Sequence, residues 1–250
     1  MLGWVERKYA GPKGAELRRH LDELKLQPVA LSCSGVKLDP AQPSEVTARF
    51  REYAEFFKRL GGRYLQVTDG GSPQKNYSSA QIASLARRMN ELGKLAQDLG
   101  LELGYHPHFG TLGETREGAA RVLDSTDPRY VKLIADVAHL TLGEADPAEV
   151  IRTYRERLIF THFKDLRKDI AVIAGRDRDA ARDRKYRFCE IGTGVVNFPS
   201  IVKAFRDTNF RGWVIVELDA YKPPAGGPSD SAKTNKDALE KLGFRFYNNF

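Results

Sequence analysis

Four short motifs hold most of the side chains in this 250-residue sequence that are suited to metal or proton chemistry. They are YHPH with His106 and His108, DVAH with Asp136 and His139, THFKD with His162, Lys164 and Asp165, and VELD with Glu217 and Asp219. Four of the five histidines lie in them, and the fifth, His20, sits in a Lys/Arg/Glu-rich helical stretch. His106, Asp136, His162 and Glu217 together offer two imidazole nitrogens and two carboxylates. That donor set suits one divalent ion such as Zn, Mn, Fe or Co, with Mg also open to it. Cys33 and Cys189 lack CxxC spacing and read as small hydrophobes in a reducing compartment. Each motif alone is as compatible with ordinary hydrogen-bonded structure as with chemistry. Their common position carries the argument, since each falls where a strand-like run ends.

The elements that must position these groups alternate. Pro28 to Ser32, Arg63 to Val67, Leu101 to His106, Val131 to Asp136, Leu158 to Phe163 and Trp213 to Leu218 read as strands, with Trp4 to Glu6 as a stub. Helical stripes lie between them: Val46 to Leu60 after a cap at Ser44, Ile82 to Leu99 up to Gly100, a helix ending near Leu123, and one opening at Asp146-Pro147 with Glu149. Two more lie near Pro199 to Phe205 and Ser231 to Leu242, and Tyr221 to Pro228 is a Pro/Gly loop. Strands separated by helices predict an α/β fold with a parallel sheet, because parallel connections need crossovers of about a dozen residues. Functional side chains at the C-terminal ends of successive strands are the pattern of a (β/α) barrel of the TIM type. One such barrel takes about 250 residues, so residues 1–250 are expected to form a single domain.

Charge and hydropathy narrow the partners. The net charge is +7, but between Asp165 and Phe188 the signs alternate, as in Arg176, Asp177, Arg178 and Asp179. Such a run is a solvated segment or a loop whose arginines reach over a polar or anionic substrate. A nucleic-acid groove would interleave clustered basic residues with exposed aromatics, and the run offers only Tyr186, so no nucleic acid is expected. No apolar run approaches the ~20 residues of a membrane span, and the charged N-terminus lacks a secretory core. The expectation is a cytoplasmic protein with no membrane partner.

YHPHFGT, DVAHL followed by LGEADP, THFKD, EIGTGVVNFP and GWVIVELD, in that order, resemble the xylose-isomerase-like TIM barrels of the sugar phosphate isomerase/epimerase superfamily, nearest to its inosose dehydratases. The likeness runs from Leu101 to the C-terminus and is weaker in LGWVE and RYLQV. It implies one ligand from each of the last four strands, namely His106, Asp136, His162 and Glu217. It also implies a substrate contact at His139, a polar group near substrate oxygens at Lys164, and a loop by the active face around Glu190. The implied activity is that of a metal-dependent isomerase, epimerase or dehydratase acting on a small sugar or cyclitol through an enediolate. Glu217 is the expected proton-abstracting base.

Two departures matter. Many relatives carry Glu where this chain has His106, so a second acid/base group must come from elsewhere, and His108 or His139 can serve because an imidazole titrates near ~6.5. The chain also begins at the segment that follows the family's first βα unit. The barrel edge so exposed is expected either to be covered by a partner subunit, with a homo-oligomer as one solution, or to reflect an incomplete gene product. Lys164 and Asp165 have an alternative as a solvent-facing ion pair. Two rival functions stand beside the main one: a non-catalytic pseudoenzyme or binding protein, and an apurinic-site endonuclease. The endonuclease would need a three-zinc cluster with further histidines that this chain lacks upstream.

Overall fold

A computed structural model describes residues 13–33, 36, 38–39, 46–218 and 227–246. The expected strand at Trp4 to Glu6, the cap at Ser44, Asp219 and most of the Tyr221 to Pro228 loop lie outside the described residues. The chain divides into two compact units at the Ile134–Ala135 bond.

In the N-terminal unit, four parallel strands alternate with helices. After α1 (Lys13–Glu23) come β1 (Ala30–Ser32), α2 (Thr47–Arg59), β2 (Tyr64–Val67), α3 (Ser79–Asp98), β3 (Glu102–Tyr105), a 3-10 turn (Leu112–Glu114), α4 (Arg116–Ser125) and β4 (Val131–Asp136). The ladders run Ala30 opposite Tyr64, Tyr64 opposite Glu102, and Leu103 opposite Val131. All four β2 residues are buried, as befits a parallel strand covered on both faces. Helix α3 begins at a full capping box. Ser78 Oγ accepts the Gln81 amide at 3.3 Å, and Gln81 Oε1 accepts the Ser78 amide at 2.9 Å. Its stripe Ile82, Leu85, Met89 and Leu92 is buried. Gly93 lets it approach the turn before β4, where a Cβ would meet Tyr130 O at 2.3 Å.

The C-terminal unit carries the end of β4, α5 (Val137–Leu142), α6 (Pro147–Thr153), β5 (Leu158–Phe163), β6 (Asp165–Leu166), α7 (Lys168–Ala174), α8 (Arg178–Arg182), β7 (Phe188–Cys189), α9 (Phe198–Asp207), β8 (Trp213–Val216) and α10 (Pro228–Lys241). β5 and β8 are parallel, with His162 opposite Ile215, and β6 and β7 form a short antiparallel pair with Leu166 opposite Phe188. Asp146 caps α6 by accepting the Ala148 amide at 2.8 Å, with Pro147 in the first turn.

Parallel strands separated by helices bear out the expected α/β class. The alternating-charge run is solvated as expected, with residues 176–179 and 182–185 exposed or half-buried. It folds into α7 and α8, burying Ile170, Ala174 and Ala181. Much of its charge is locally paired, Arg167 with Asp169, Arg182 with Asp179, and Arg178 with Glu144. Helices of seven and five residues are too short for a periodicity to show.

Candidate functional site

In the C-terminal unit the strand ends gather four of the expected groups. Asp136 is the last residue of β4 and also the N-cap of α5. Its Oδ1 accepts the amides of Ala138 and His139, both at 3.1 Å, which fixes the carboxylate and leaves Oδ2 for other partners. Those partners are Lys164 Nζ at 2.7 Å and His162 Nδ1 at 3.5 Å. Glu217 extends β8, its amide donating to Phe163 O at 3.1 Å, so the β5–β8 ladder carries it beside His162. Glu217 Oε2 lies 2.6 Å from Lys164 Nζ and 2.9 Å from His162 Nδ1. Two carboxylates, an imidazole and an ammonium therefore share one spot.

Burial separates their roles. Lys164 and Asp136 have no exposed side-chain surface, whereas the Glu217 side chain is 40% exposed and can be reached. Burial alone would raise the Glu217 pKa, but the hydrogen bond from His162 and the charge of Lys164 outweigh it and hold the carboxyl at about 2. Burial likewise disfavours the His162 imidazolium, yet hydrogen bonds to Asp136 and Glu217 prevail and push it up to about 9. Asp136 and His162 are among the buried side chains whose ligand atoms lie close enough to hold a metal ion, and Asp136 is oriented by the helix it caps. His139 lies one turn into α5, buried, with its ring edge-on to Phe188 at 4.8 Å. Phe188 also lies 5.4 Å from Lys164 Nζ, so one aromatic borders both groups.

The N-terminal unit holds His106 and His108. The His106 amide donates to Val67 O at 2.8 Å, and its buried ring places Nδ1 3.2 Å from the Gln66 side-chain amide. In this orientation Gln66 Nε2–H donates to Nδ1, which leaves the ring proton on Nε2; the flipped amide, its oxygen accepting Nδ1–H, is what would free the Nε2 lone pair for a ligand. His108 Nδ1 is 2.7 Å from Phe109 O. A carbonyl only accepts, so Nδ1 carries the proton and Nε2 of the neutral ring is the proton-accepting atom.

Asp165 does not form the solvent-facing ion pair held open for it. It is buried and accepts four backbone amides, from Leu166 at 2.8 Å and from Gly192, Gly194 and Val196 at 2.9 Å each. It thereby anchors the EIGTGVV loop that carries Glu190. Gly194 is required for that approach, since a Cβ there would come within 2.5 Å of Asp165 Oδ1. Asp165→Ala is expected to cost about 3 kcal/mol or more, because several amides lose a charged acceptor at once. Urea unfolding measures the loss, and limited proteolysis should show new cleavage between residues 190 and 196. Sequence reasoning missed Gln66 as the partner of His106. The available signal was a lone amide in the otherwise apolar, wholly buried strand YLQV.

Parallel strands alternating with helices, with acid, imidazole and ammonium groups at their C-terminal ends, define a barrel-type α/β enzyme. The family model for the xylose isomerase-like TIM barrel matches residues 3–242, and the chain belongs to that family. Among its relatives, the inosose dehydratase of Geobacillus kaustophilus (strain HTA426) is 30% identical over 219 residues, 82% of this chain and 71% of the relative. Of solved structures, the IolI protein with a bound zinc atom superposes with a TM-score of 0.74 at 16% identity, covering 99% of this chain and 86% of that one. A D-tagatose 3-epimerase-like protein gives 0.69 at 21%, covering 93% and 85%. No helix among the described residues is long and apolar enough to cross a membrane.

Proposed function

We propose that the protein is a divalent-metal-dependent enzyme that removes the proton next to a carbonyl of a small sugar or cyclitol, dehydrating an inosose-like substrate or isomerising or epimerising a ketose. The observation that carries this is the convergence of Asp136, His162 and Glu217 on one cation-favouring spot beside Lys164. The inosose dehydratase relative and the zinc in the IolI protein support the same reading. Asp136, His162 and Glu217 would hold the metal, with His106 the fourth ligand proposed. A bound divalent cation supplies Lewis-acid polarisation of the carbonyl and offsets the charge that builds on its oxygen.

The chain's own residues do the rest. Glu217, ionised and exposed, takes the carbon-bound proton. Its basicity is lowered by Lys164 Nζ, 2.6 Å from Oε2. His108 takes a proton from solvent at Nε2 while Nδ1–H stays on Phe109 O, and gives it to the enediolate carbon or to a departing hydroxyl, which leaves as water. Glu217 releases the carbon-derived proton to solvent at the end of the cycle. Lys164 and His139, with His108, orient substrate hydroxyls.

The same proposal takes residues 1–250 as one domain in the cytoplasm, binding a small molecule rather than nucleic acid. The local pairing of the arginines in and around α7 and α8 supports the last point. A second copy against β8, whose Trp213 and Val216 are 39% and 41% exposed, also belongs to it.

The test is metal content by mass spectrometry together with carbon-bound proton exchange in D2O, using inososes and ketohexoses. We expect about one divalent ion per chain, and exchange or dehydration that a chelator abolishes and Mn or Zn restores. About three zinc ions would instead favour the nuclease. Failure to retain metal after reconstitution would favour the pseudoenzyme.

A further inference from the structure

Asp69, which follows β2, is among the most heavily hydrogen-bonded buried carboxylates in the described residues, and nothing in the reaction outlined above uses it. It is 1% exposed. Its Oδ1 accepts the amides of Gly71 at 3.1 Å and Leu112 at 2.8 Å. Its Oδ2 accepts the Tyr105 hydroxyl at 2.8 Å, the Thr111 hydroxyl at 3.0 Å and the Gly113 amide at 3.2 Å. Its own backbone is held by a parallel bridge to Leu38, with the Gly70 amide on Leu38 O at 2.7 Å.

Four of these five donors come from Tyr105 and the turn at Thr111 to Gly113, the two ends of the segment that contains His106 and His108. Thr111 ties the turn to His108 directly. Its amide donates to His108 O at 3.1 Å, and its hydroxyl lies 2.8 Å from the same carbonyl, so the one hydroxyl proton is shared between His108 O and Asp69. Gly113 allows the contact, since a Cβ there would fall 2.0 Å from the Tyr105 hydroxyl and 3.2 Å from Asp69 Oδ2. Burying a carboxylate is costly, and burial raises the Asp69 pKa against the pull of its hydrogen bonds. A plain turn would not need such a group.

We propose that Asp69 is a positioning residue for His108, fixing through Thr111, Leu112 and Gly113 the turn that aims the imidazole's proton-transfer atom at the substrate. This rests on the proton-transfer role given to His108 above. His106 does not depend on this anchor, because its amide is held by Val67 O and its ring faces Gln66, both on β2. The two histidines of YHPH are thus fixed by separate devices, and a defect in one can be told from a defect in the other.

The experiment compares Asp69→Asn, Thr111→Val, Thr111→Ser and Gln66→Leu with the wild type, reading metal content, kcat and KM for exchange or dehydration at saturating metal. A displacement of about 1 Å at a proton-transfer group costs up to ~100-fold in rate. Asp69→Asn and Thr111→Val are therefore expected to lower kcat roughly 10- to 100-fold, with KM within about threefold and metal content unchanged. Thr111→Ser should recover most of the rate, because it restores the hydroxyl, and Gln66→Leu should instead lose metal. Metal lost in step with rate in Asp69→Asn, or Thr111→Ser as slow as Thr111→Val, would overturn the assignment, as would Asp69→Asn at full rate. If Asp69→Asn does not fold, the contrast between Thr111→Val and Thr111→Ser decides alone. A wild type that holds metal but exchanges no substrate proton removes the proposed function, and this assignment with it.

Discussion

Asp136→Ala is expected to abolish metal retention and to destabilise the metal-free protein by about 3–5 kcal/mol, the usual result of deleting one partner of a buried ion pair. Lys164 has no exposed side-chain surface, and its ammonium is 2.7 Å from Asp136 Oδ2 and 2.6 Å from Glu217 Oε2. Without Asp136 it keeps one carboxylate, shared with His162. The same change removes the cap of α5, worth about 1 kcal/mol more, since Asp136 Oδ1 accepts the Ala138 and His139 amides. In a chain of this size 1 kcal/mol moves the midpoint about 2–4 °C, so thermal unfolding should drop by roughly 8–24 °C. Asp136→Asn separates the two effects. Asparagine caps as well as aspartate and has the same shape, so α5 should survive while the charge and the metal are lost. Metal analysis and calorimetry of the two variants check this. An Asp136→Asn protein that keeps a full complement of metal would remove Asp136 from the ligand set.

How much of this was legible in the sequence depends on the distance over which each signal acts. Strand and helix order was readable because apolar periodicity is local. Val131 to Asp136 and Leu158 to Phe163 fall where the pattern puts them, and the cap at Asp146-Pro147 is written in adjacent residues. Helix α5 was not readable. Asp136 ends a strand and caps a helix without an intervening loop, and six residues are too few for a period to emerge. The identities of the site residues were visible as polar groups at strand ends, but their partners were not. Lys164 meets Glu217 across 53 positions, and Asp69 meets Leu112 across 43. DGG at residues 69 to 71 reads as an ordinary turn. Only the fold shows that its carboxylate spans to another loop, and the same holds for Asp165, which looks like half of an ion pair until its four amide donors are in place.

Glu217→Gln is expected to lower kcat by about 10²–10⁴ while leaving the fold intact, the range for losing a positioned general base. Glutamine keeps an oxygen for Lys164 Nζ, and Glu217 is the least buried member of the cluster, so no buried charge is stranded as it is with Asp136. The amide is a weaker metal ligand, so the measurement belongs at saturating metal, where occupancy is held constant and only proton removal is compared. Two readouts then agree if Glu217 is the base: turnover falls, and deuterium no longer enters the carbon next to the carbonyl when substrate is incubated in D2O. A variant that still exchanges that proton at more than a tenth of the wild-type rate would place the base elsewhere. His108 would be first in line, since it holds its proton on Nδ1 against Phe109 O and leaves Nε2 as the accepting atom. Glu217 would then be left as a ligand, and the acid and base steps would both run through the imidazole that the Asp69 anchor holds.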